Sequence, residues 1–304
     1  MDSVRAAATP ARTGSLYIVS TPIGNLGDLS HRAVEVLGSV AAVLAEDTRH
    51  SRKLLAHYDI RTPMLAYHEH NEARTTPGIL ARLQGGESMA LVSDAGTPLL
   101  SDPGARLVAA VAAAGLVVTP VPGASALLAA LVAAALPTER FTYHGFLPRK
   151  GRERRALLAE LAALPHTSVL YEAPGRVAQT LTELSDAAGA DRLAVVAREL
   201  TKQFEEVRRG TLGELAAYYG SNAARGEIVI LVGGRPAAEA IDDEALRARA
   251  LALFQTGFRP REIVRLLIDE DGASRNQAYR LAQEVAGAGE PSTDGDADEV
   301  PDDD

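Results

Sequence analysis

Two acidic turns carry the residues whose types and spacing best suit chemistry. Residues 91–104, LVSDAGTPLLSDPG, are a short apolar run that ends in a turn with two Asp, two Gly and two Pro. Such a turn presents backbone N–H and C=O groups at the carboxyl edge of a sheet, where open α/β folds bind small ligands. Residues 45–49, AEDTR, end another apolar run with Glu46, Asp47 and Arg49 clustered at the tip. Charged groups at a strand's carboxyl end face the ligand crevice, so a carboxylate there could accept a proton and a guanidinium could hold an anion. Arg52 and Lys53, just beyond, suit a solvated helix face.

Other clusters are less committal. In VVARELTKQFEEVRRG, residues 195–210, Lys202 stands among Glu199, Glu205 and Glu206; alternating signs usually form a surface ion-pair network, whereas a lysine held among carboxylates inside a cleft would be reactive. GFLPRKGRERR, residues 145–155, holds Arg149, Lys150, Arg152, Arg154 and Arg155 against Glu153 alone. Five cations around a Pro/Gly turn make a positive edge suited to phosphates, although short charge runs also begin solvated helices. Phe146 beside them could stack on a base. STPIGNLGDLSHRA, residues 20–33, is a strand-to-helix turn in which Gly24 and Gly27 could let the backbone approach a ligand and Asp28 or Ser30 could cap the next helix. It lacks the GxGxxG spacing of a dinucleotide site. PGASA, residues 122–126, imitates a nucleophile elbow, but Leu127 stands where that motif needs glycine, so Ser125 reads as a helix cap beside a ligand. HEHN, residues 68–71, offers two histidines without a third metal ligand, and no metal site is expected.

The elements that must position these residues alternate. LYIVS, AAVLAED, MALVSD and LVVTPV are strand-like with amphipathic stretches between them, which argues for mainly parallel βα units covered on both faces. Past Pro120 and Pro122 a second set follows: FTYHGF, TSVLYEA, RLAVVARE, a short FEEVRRG and EIVILVGG, with helical segments at 152–163 and 177–187. The expected fold class is therefore α/β, two α/β domains with mainly parallel sheets around a central cleft. After Gly234 the strands stop, and three helical segments at 243–255, 260–269 and 274–286 predict a small C-terminal helical module, with Ser274 able to cap the last helix. The expected domain bounds are a disordered arm at 1–13, an N-terminal α/β domain at 14–121, a second at 122–236, the helical module at 241–287 and an acidic disordered tail at 288–304.

Cysteine is absent, which excludes disulfides, cysteine-ligated metals and thiol catalysis. The formal charge of −9 comes mostly from residues 290–304, which hold eight acids and no base; the rest of the chain has 32 acids against 31 bases, so a local basic surface remains compatible with it. Gly115, Pro120, Pro122 and Gly123 break the alanine-rich stretch 107–136 into pieces too short to span a membrane, and a cytoplasmic location is expected.

Taken in order, STPIGNLGDLS, AEDTR, SDAGTPLLSDPG, VPGASA, GFLPRKG, LYEAP, RELTK and GEIVILVGG resemble the motifs of the tetrapyrrole methylase superfamily, most closely its ribosomal branch, the small-subunit rRNA methyltransferase I family. The resemblance covers about residues 15–234. It implies two α/β domains around a cleft, a homodimer, and S-adenosylmethionine-dependent methylation of the ribose 2′-oxygen of a cytidine in 16S rRNA of the small ribosomal subunit. Carried over by motif, it implies that Pro22, Asp94, Ala95, Gly96, Thr97, Leu99, Ser125 and Ala126 contact the donor. Tyr171, Glu172 and Glu227 are further candidates, and GFLPRKG and AEDTR face the RNA.

Methyl transfer from a sulfonium to an alcohol is an in-line displacement, so alignment dominates and a base or a charge-stabilising cation near the hydroxyl adds to the rate. Asp47 and Glu46 could take the proton. Lys202 could do so only if its pKa were lowered, and would otherwise stabilise developing oxyanion charge. Arg49 and the five cations at 149–155 would hold phosphates. The sequence leaves two rivals open: a precorrin or other tetrapyrrole methyltransferase, and a non-catalytic RNA-binding protein.

Overall fold

The computed structural model describes residues 14–236 and 242–287; the arm at 1–13, residue 241 and the acidic tail lie outside them. The chain divides into two compact units, Met1–Arg235 and Pro236–Asp304.

The first unit opens with β1 (Ser15–Val19), α1 (His31–Ser39), β2 (Ala42–Ala45), α2 (Thr48–His57), β3 (Met64–Ala66), α3 (Glu72–Gln84), β4 (Met89–Val92), α4 (Ala105–Ala113) and β5 (Val117–Val121). The five strands form a sheet in the order β3-β2-β4-β1-β5, and every pairing is parallel. Strand side chains alternate between faces. Leu16, Leu44, Met89 and Leu91 pack on one side with Leu83 of α3 and Leu107 of α4, while Val19, Val43, Ala90 and Val92 pack on the other with Leu37 of α1 and Leu54 of α2. Burial on both sides is why these strands read as nearly unbroken apolar runs. Ser30 caps α1, accepting from the Ala33 amide at 3.1 Å.

The chain continues through α5 (Ala126–Ala133), β6 (Phe141–Phe146), α6 (Arg152–Ala163), β7 (Thr167–Glu172), α7 (Val177–Ala188), β8 (Leu193–Arg198), β9 (Glu206–Thr211), α8 (Leu212–Ser221) and β10 (Ile228–Val232). The α/β class holds here, with one correction. This second sheet, ordered β6-β7-β10-β8-β9, is parallel only between β6 and β7; the other three pairings are antiparallel. The loop from Arg198 to Glu206 is too short for the crossover that parallel neighbours need, so β8 and β9 turn back on each other. One face packs Leu170, Val196 and Ile230 against α6, α7 and α8; the other packs Val169, Val195 and Leu231 against α5 and against Ile23 from the loop after β1.

The second unit holds α9 (Asp243–Gln255), α10 (Pro260–Asp269) and α11 (Arg275–Gly287), which bury Leu246, Leu253, Ile263, Leu267 and Leu281 in a core of their own. Ser274 caps α11, accepting from the Gln277 amide at 3.3 Å.

Candidate active site

The loops at the carboxyl ends of β1, β2 and β4 are laced together by short polar groups. Thr21 and Gly96 exchange backbone hydrogen bonds of 2.8 and 3.0 Å. The Ser20 and Thr97 hydroxyls bond at 2.9 Å, and Thr97 Oγ1 also donates to the Ala124 carbonyl at 3.1 Å. The Asp47 amide donates to Asp94 Oδ1 at 3.1 Å, joining the AEDTR tip to the SDAGTP turn. Leu99 and Ser101 adopt left-handed φ values of 75° and 67°, a conformation that costs a non-glycine residue about 1–3 kcal/mol and persists only where its surroundings impose it.

These loops and the second sheet enclose a cavity of about 470 Å³, a size that suits a small molecule. Of the residues singled out in the sequence, Glu46, Asp94, Ala95, Gly96, Thr97, Ser125 and Ala126 line it from the first sheet's loops and the start of α5, and Tyr171, Glu172 and Glu227 line it from the second sheet. Ile23, Leu100, Leu200, Ile228 and Val229 supply apolar wall that the motifs did not single out. Pro22 and Leu99 are not on the wall; Pro22 is buried, and their neighbours Ile23 and Leu100 take those places.

Ser125 occupies the N-cap position of α5 but makes no capping bond, contrary to the expectation from sequence. Its hydroxyl is buried and without a protein partner among the described residues, on the wall of the cavity. A buried, unsatisfied hydroxyl is costly unless a ligand or water completes it.

The three side chains that the sequence offered as proton acceptors fare differently. Asp47 caps α2, and its carboxylate accepts from the Arg49 amide at 2.8 Å and from the Arg49 guanidinium at 3.2 and 3.1 Å. Those bonds hold its pKa down at about 2, and it does not line the cavity. Lys202 Nζ pairs with Glu199 Oε1 at 2.9 Å and Glu227 Oε2 at 3.2 Å. Burial alone would lower its pKa, but the two carboxylates outweigh that and hold the ammonium above its ordinary value. Its stem lies over Gly24, where an added Cβ would sit 2.3 Å from Lys202 Cγ, and it does not line the cavity. Lys202 therefore ties the loop after β8 to Glu227 and to the first turn; it is not a free amine. Glu46 does line the cavity, and burial, reinforced by the charge of Asp94, raises its pKa.

The residue that sequence reasoning passed over is Asp102. It lines the cavity, and burial pushes its pKa up to about 6 despite a hydrogen bond from Ser93 that favours the charged form; Glu46 and Asp94 reinforce the rise. The signal was the second Asp of SDAGTPLLSDPG, read only as turn chemistry. On the opposite wall the ring of Phe146, 54% exposed, meets Tyr171 edge-on at 5.6 Å, and Tyr171 meets Tyr143 at 5.2 Å.

The cationic run separates into two kinds of residue. Arg149, Lys150, Arg152 and Arg155 are exposed. Arg154 departs from them: its side chain, 4% exposed, donates to Glu183 at 2.6 Å, to Thr180 Oγ1 at 2.8 Å and to the Pro148 carbonyl at 3.0 Å, and that burial withdraws it from the surface a phosphate would reach. Arg49 is exposed, its guanidinium paired with Asp47. Among the described residues no group of three or more potential ligands gathers to hold a metal ion.

A two-sheet α/β unit with a cavity walled by strand-end loops is the architecture of a known class of protein. Residues 15–216 match the family model of the tetrapyrrole (corrin/porphyrin) methylases. Solved structures share the fold: a cobalt precorrin-4 methyltransferase of cobalamin biosynthesis (TM-score 0.55, 20% identity, 72% of this chain and 95% of that one) and a uroporphyrin-III C-methyltransferase from Thermus thermophilus complexed with S-adenosylhomocysteine (TM-score 0.52, 21% identity, 72% and 97%). Sequence relatives are nearer. Proteins named ribosomal RNA small subunit methyltransferase I are 46% identical over 278 residues in a Synechocystis species (91% of this chain, 100% of the relative) and 50% identical over 272 residues in Xylella fastidiosa (88% and 98%). The chain belongs to the ribosomal RNA small subunit methyltransferase I family of the tetrapyrrole methylases.

Proposed function

We propose that this protein transfers the methyl group of S-adenosylmethionine to the ribose 2′-oxygen of a cytidine in 16S rRNA of the small ribosomal subunit. One observation carries the reading: relatives named ribosomal RNA small subunit methyltransferase I match this chain along 98–100% of their own length.

The cavity's chemistry suits the donor. Its apolar wall at Ile23, Leu100, Ala126 and Ile228 would receive an adenine ring, the unpartnered Ser125 hydroxyl would complete a polar group, and Asp94 and Glu46 would face a cation. Asp94, Ala95, Gly96 and Thr97, with Ser125, Ala126, Tyr171 and Glu227, are the residues assigned to it. S-adenosylmethionine there would supply an electrophilic methyl carbon on a sulfonium, whose leaving group is a neutral thioether. The chain's own work is to align the incoming oxygen with that carbon and to exclude water. Residues 14–121 and 122–236 act as the two domains flanking the cavity.

A homodimer and a cytoplasmic location complete the reading. α5 is apolar all round: Leu127, Ala130 and Leu131 are buried, while Leu128 and Val132 face outward, the latter 79% exposed. An exposed apolar helix face suits burial against a second copy. Among the described residues no helix is long and apolar enough to cross a membrane.

The deciding experiment incubates the protein with methyl-labelled S-adenosylmethionine and small subunits from cells lacking it. Label is expected in 16S rRNA at one cytidine whose ribose resists alkaline cleavage; label absent from that RNA, or entering a porphyrinoid instead, overturns the proposal.

The exposed cations Arg49, Arg149, Lys150, Arg152 and Arg155 are assigned to phosphate contacts. Replacing Arg149, Lys150 and Arg152 by Ala should flatten the slope of log K against log salt by about 2, since each phosphate contact on single-stranded RNA contributes about 0.7. Filter binding across a salt series checks this, and an unchanged slope removes that edge from the interface.

A further inference from the structure

The reaction proposed above uses only the first unit, and α9, α10 and α11 are left without a task. The solved precorrin-4 and uroporphyrin-III methyltransferases match 72% of this chain, a share no larger than its first unit, over 95–97% of their own length. Their fold is complete without a helical unit. The relatives named ribosomal RNA small subunit methyltransferase I align over 272 and 278 residues, more than the 235 of the first unit, so their match runs on into the second. Among these proteins the added unit accompanies the name of an RNA acceptor and not of a small one.

Within the unit, α10 and α11 are joined by residues 270–274, a turn in which Gly272 has φ 67° and the Ala273 amide closes onto the Leu267 carbonyl at 2.8 Å. Two helices joined by such a turn form the helix-turn-helix arrangement, which presents the N-terminal half of its second helix to nucleic acid. Here that helix is α11. Its inward stripe, Ala278, Leu281, Ala282 and Val285, is buried, and one flank is committed to α9: Gln277 bonds Asp243 at 3.2 Å, and Arg280 pairs with Asp243. The other flank carries Arg275, Asn276, Tyr279 and Gln283, all exposed and without a side-chain partner among the described residues.

Charge divides in the same way. Residues 242–287 hold eight acids against seven Arg, a balance that by itself favours no polyanion. Most of the acids are engaged, however: Asp243, Asp269, Glu270, Asp271 and Glu284 pair with Arg247, Arg249, Arg265 and Arg280, and the Glu262 carboxylate accepts from the Arg259 amide at 2.9 Å. Arg259, Arg261 and Arg275 remain as exposed guanidiniums without a carboxylate partner among the described residues. Tyr279, 48% exposed, stands one helical turn from Arg275, and Phe258, 41% exposed, precedes Arg259. Unpaired guanidiniums beside open rings match phosphates and unstacked bases.

We propose that the open flank of α11, with the Arg259 and Arg261 end of α10, is a second RNA-binding surface that docks the enzyme on the rRNA at a place other than the methylated nucleotide. The inference rests on the rRNA methyltransferase reading. The major groove of A-form RNA is too deep and narrow for side chains to read, so α11 does not work as it would on DNA: its Arg275, with Arg259 and Arg261, holds phosphates, and Tyr279 stacks on an unpaired base. Because both units belong to one chain, a grip by the second makes capture of the target nucleotide intramolecular. That lowers KM for the RNA and leaves the transfer step alone.

The test uses the full chain, as wild type, Y279A, Y279F, R259A/R261A/R275A and R249A, in steady-state methylation of unmethylated small subunits and in filter binding to a naked 16S rRNA transcript. Calorimetry of S-adenosylhomocysteine and sedimentation run alongside. Y279A should raise KM for the subunits and Kd for the transcript at least about fivefold, the effect of one lost stacked base, and Y279F should restore both. The triple variant should flatten the slope of log K against log salt by about 2. R249A removes a cation that is already paired with Glu270 and Asp271, and should change neither constant by more than about twofold. For every variant kcat and the Kd of S-adenosylhomocysteine should stay within about twofold of wild type. Y279A and the triple variant binding the transcript as wild type does, with the slope unchanged, overturn the proposal. So does a loss seen on intact subunits but not on the transcript, which assigns the surface to a ribosomal protein, a preference of the wild type for a DNA duplex of the same length, or an altered oligomeric state of Y279A with RNA affinity intact. Each of these leaves the methyltransferase reading standing. Wild-type protein that transfers no methyl to 16S rRNA overturns that reading, and this inference with it.

Discussion

Ala126→Phe should weaken donor binding at least about 100-fold while the protein stays folded. Ala126 is the first residue of α5 and lines the cavity beside Ser125, on the same wall as the SDAGTP turn. A phenyl ring there occupies space that an adenosyl group needs, within a cavity of only about 470 Å³. The neighbouring core, where Leu127, Ala130 and Leu131 meet Val169 and Leu231, is already closed, so the new ring has the cavity as its outlet. Calorimetric Kd for S-adenosylhomocysteine should rise at least about 100-fold, or about 2.8 kcal/mol. The cost in stability should stay at about 1–3 kcal/mol, as for a modestly overpacked site. A well-folded variant that binds as tightly as wild type would place the donor elsewhere.

The contrast with the sequence reading lies in which properties a linear chain records. The first sheet and its turns were legible because strands buried on both faces become short apolar runs that end in glycine, proline and aspartate. Helices α6, α9 and α10 fall at the expected bounds, since their apolar positions recur at helical spacing. Strand direction in the second sheet was not legible: Ile228–Val232 would look the same parallel or antiparallel, and the choice depends on its insertion between β7 and β8. β3 was missed because three residues, Met64–Ala66, are too few to show a period.

At the site, residue types were legible and desolvation was not. Asp94 and Asp102 lie eight positions apart in one motif, and only the folded loops reveal that burial raises the proton affinity of Asp102. The Lys202 and Glu227 pairing spans 25 positions, with β9 and α8 between them, beyond any local pattern. Arg154 is another matter, since a signal existed. Arg154, Leu158 and Leu161 stand at i, i+4 and i+7 on α6, one inward stripe, so that this arginine belonged to the core face from the start.

That inward arginine leads to the largest expected loss of stability, at Glu172. The side chain is fully buried and both carboxylate oxygens are engaged: Oε1 accepts from the Ala173 amide at 2.8 Å and pairs with Arg176, and Oε2 accepts from Thr180 Oγ1 at 2.7 Å. Thr180 in turn accepts from Arg154, whose Nε reaches Glu183. The relay joins the LPRK turn, α6, the end of β7 and α7 behind the wall that carries Tyr171, Ala173 and Pro174. Although Glu172 borders the cavity, its oxygens are committed to this frame and not to a ligand. Glu172→Ala leaves the Arg176 charge and a buried hydroxyl without their acceptor, and breaking such a pair costs about 3–5 kcal/mol. Arg155→Ala, one residue from Arg154 but exposed, should change stability by no more than about 0.5 kcal/mol. Urea unfolding of both variants checks the pair of values. Because the relay is continuous, Arg154→Met and Thr180→Val should be non-additive in a double-mutant cycle, whereas independent contacts would simply sum. Additivity there would mean that the wall of the cavity is braced piecewise, and Glu172 would then lose the central place that its two engaged oxygens give it.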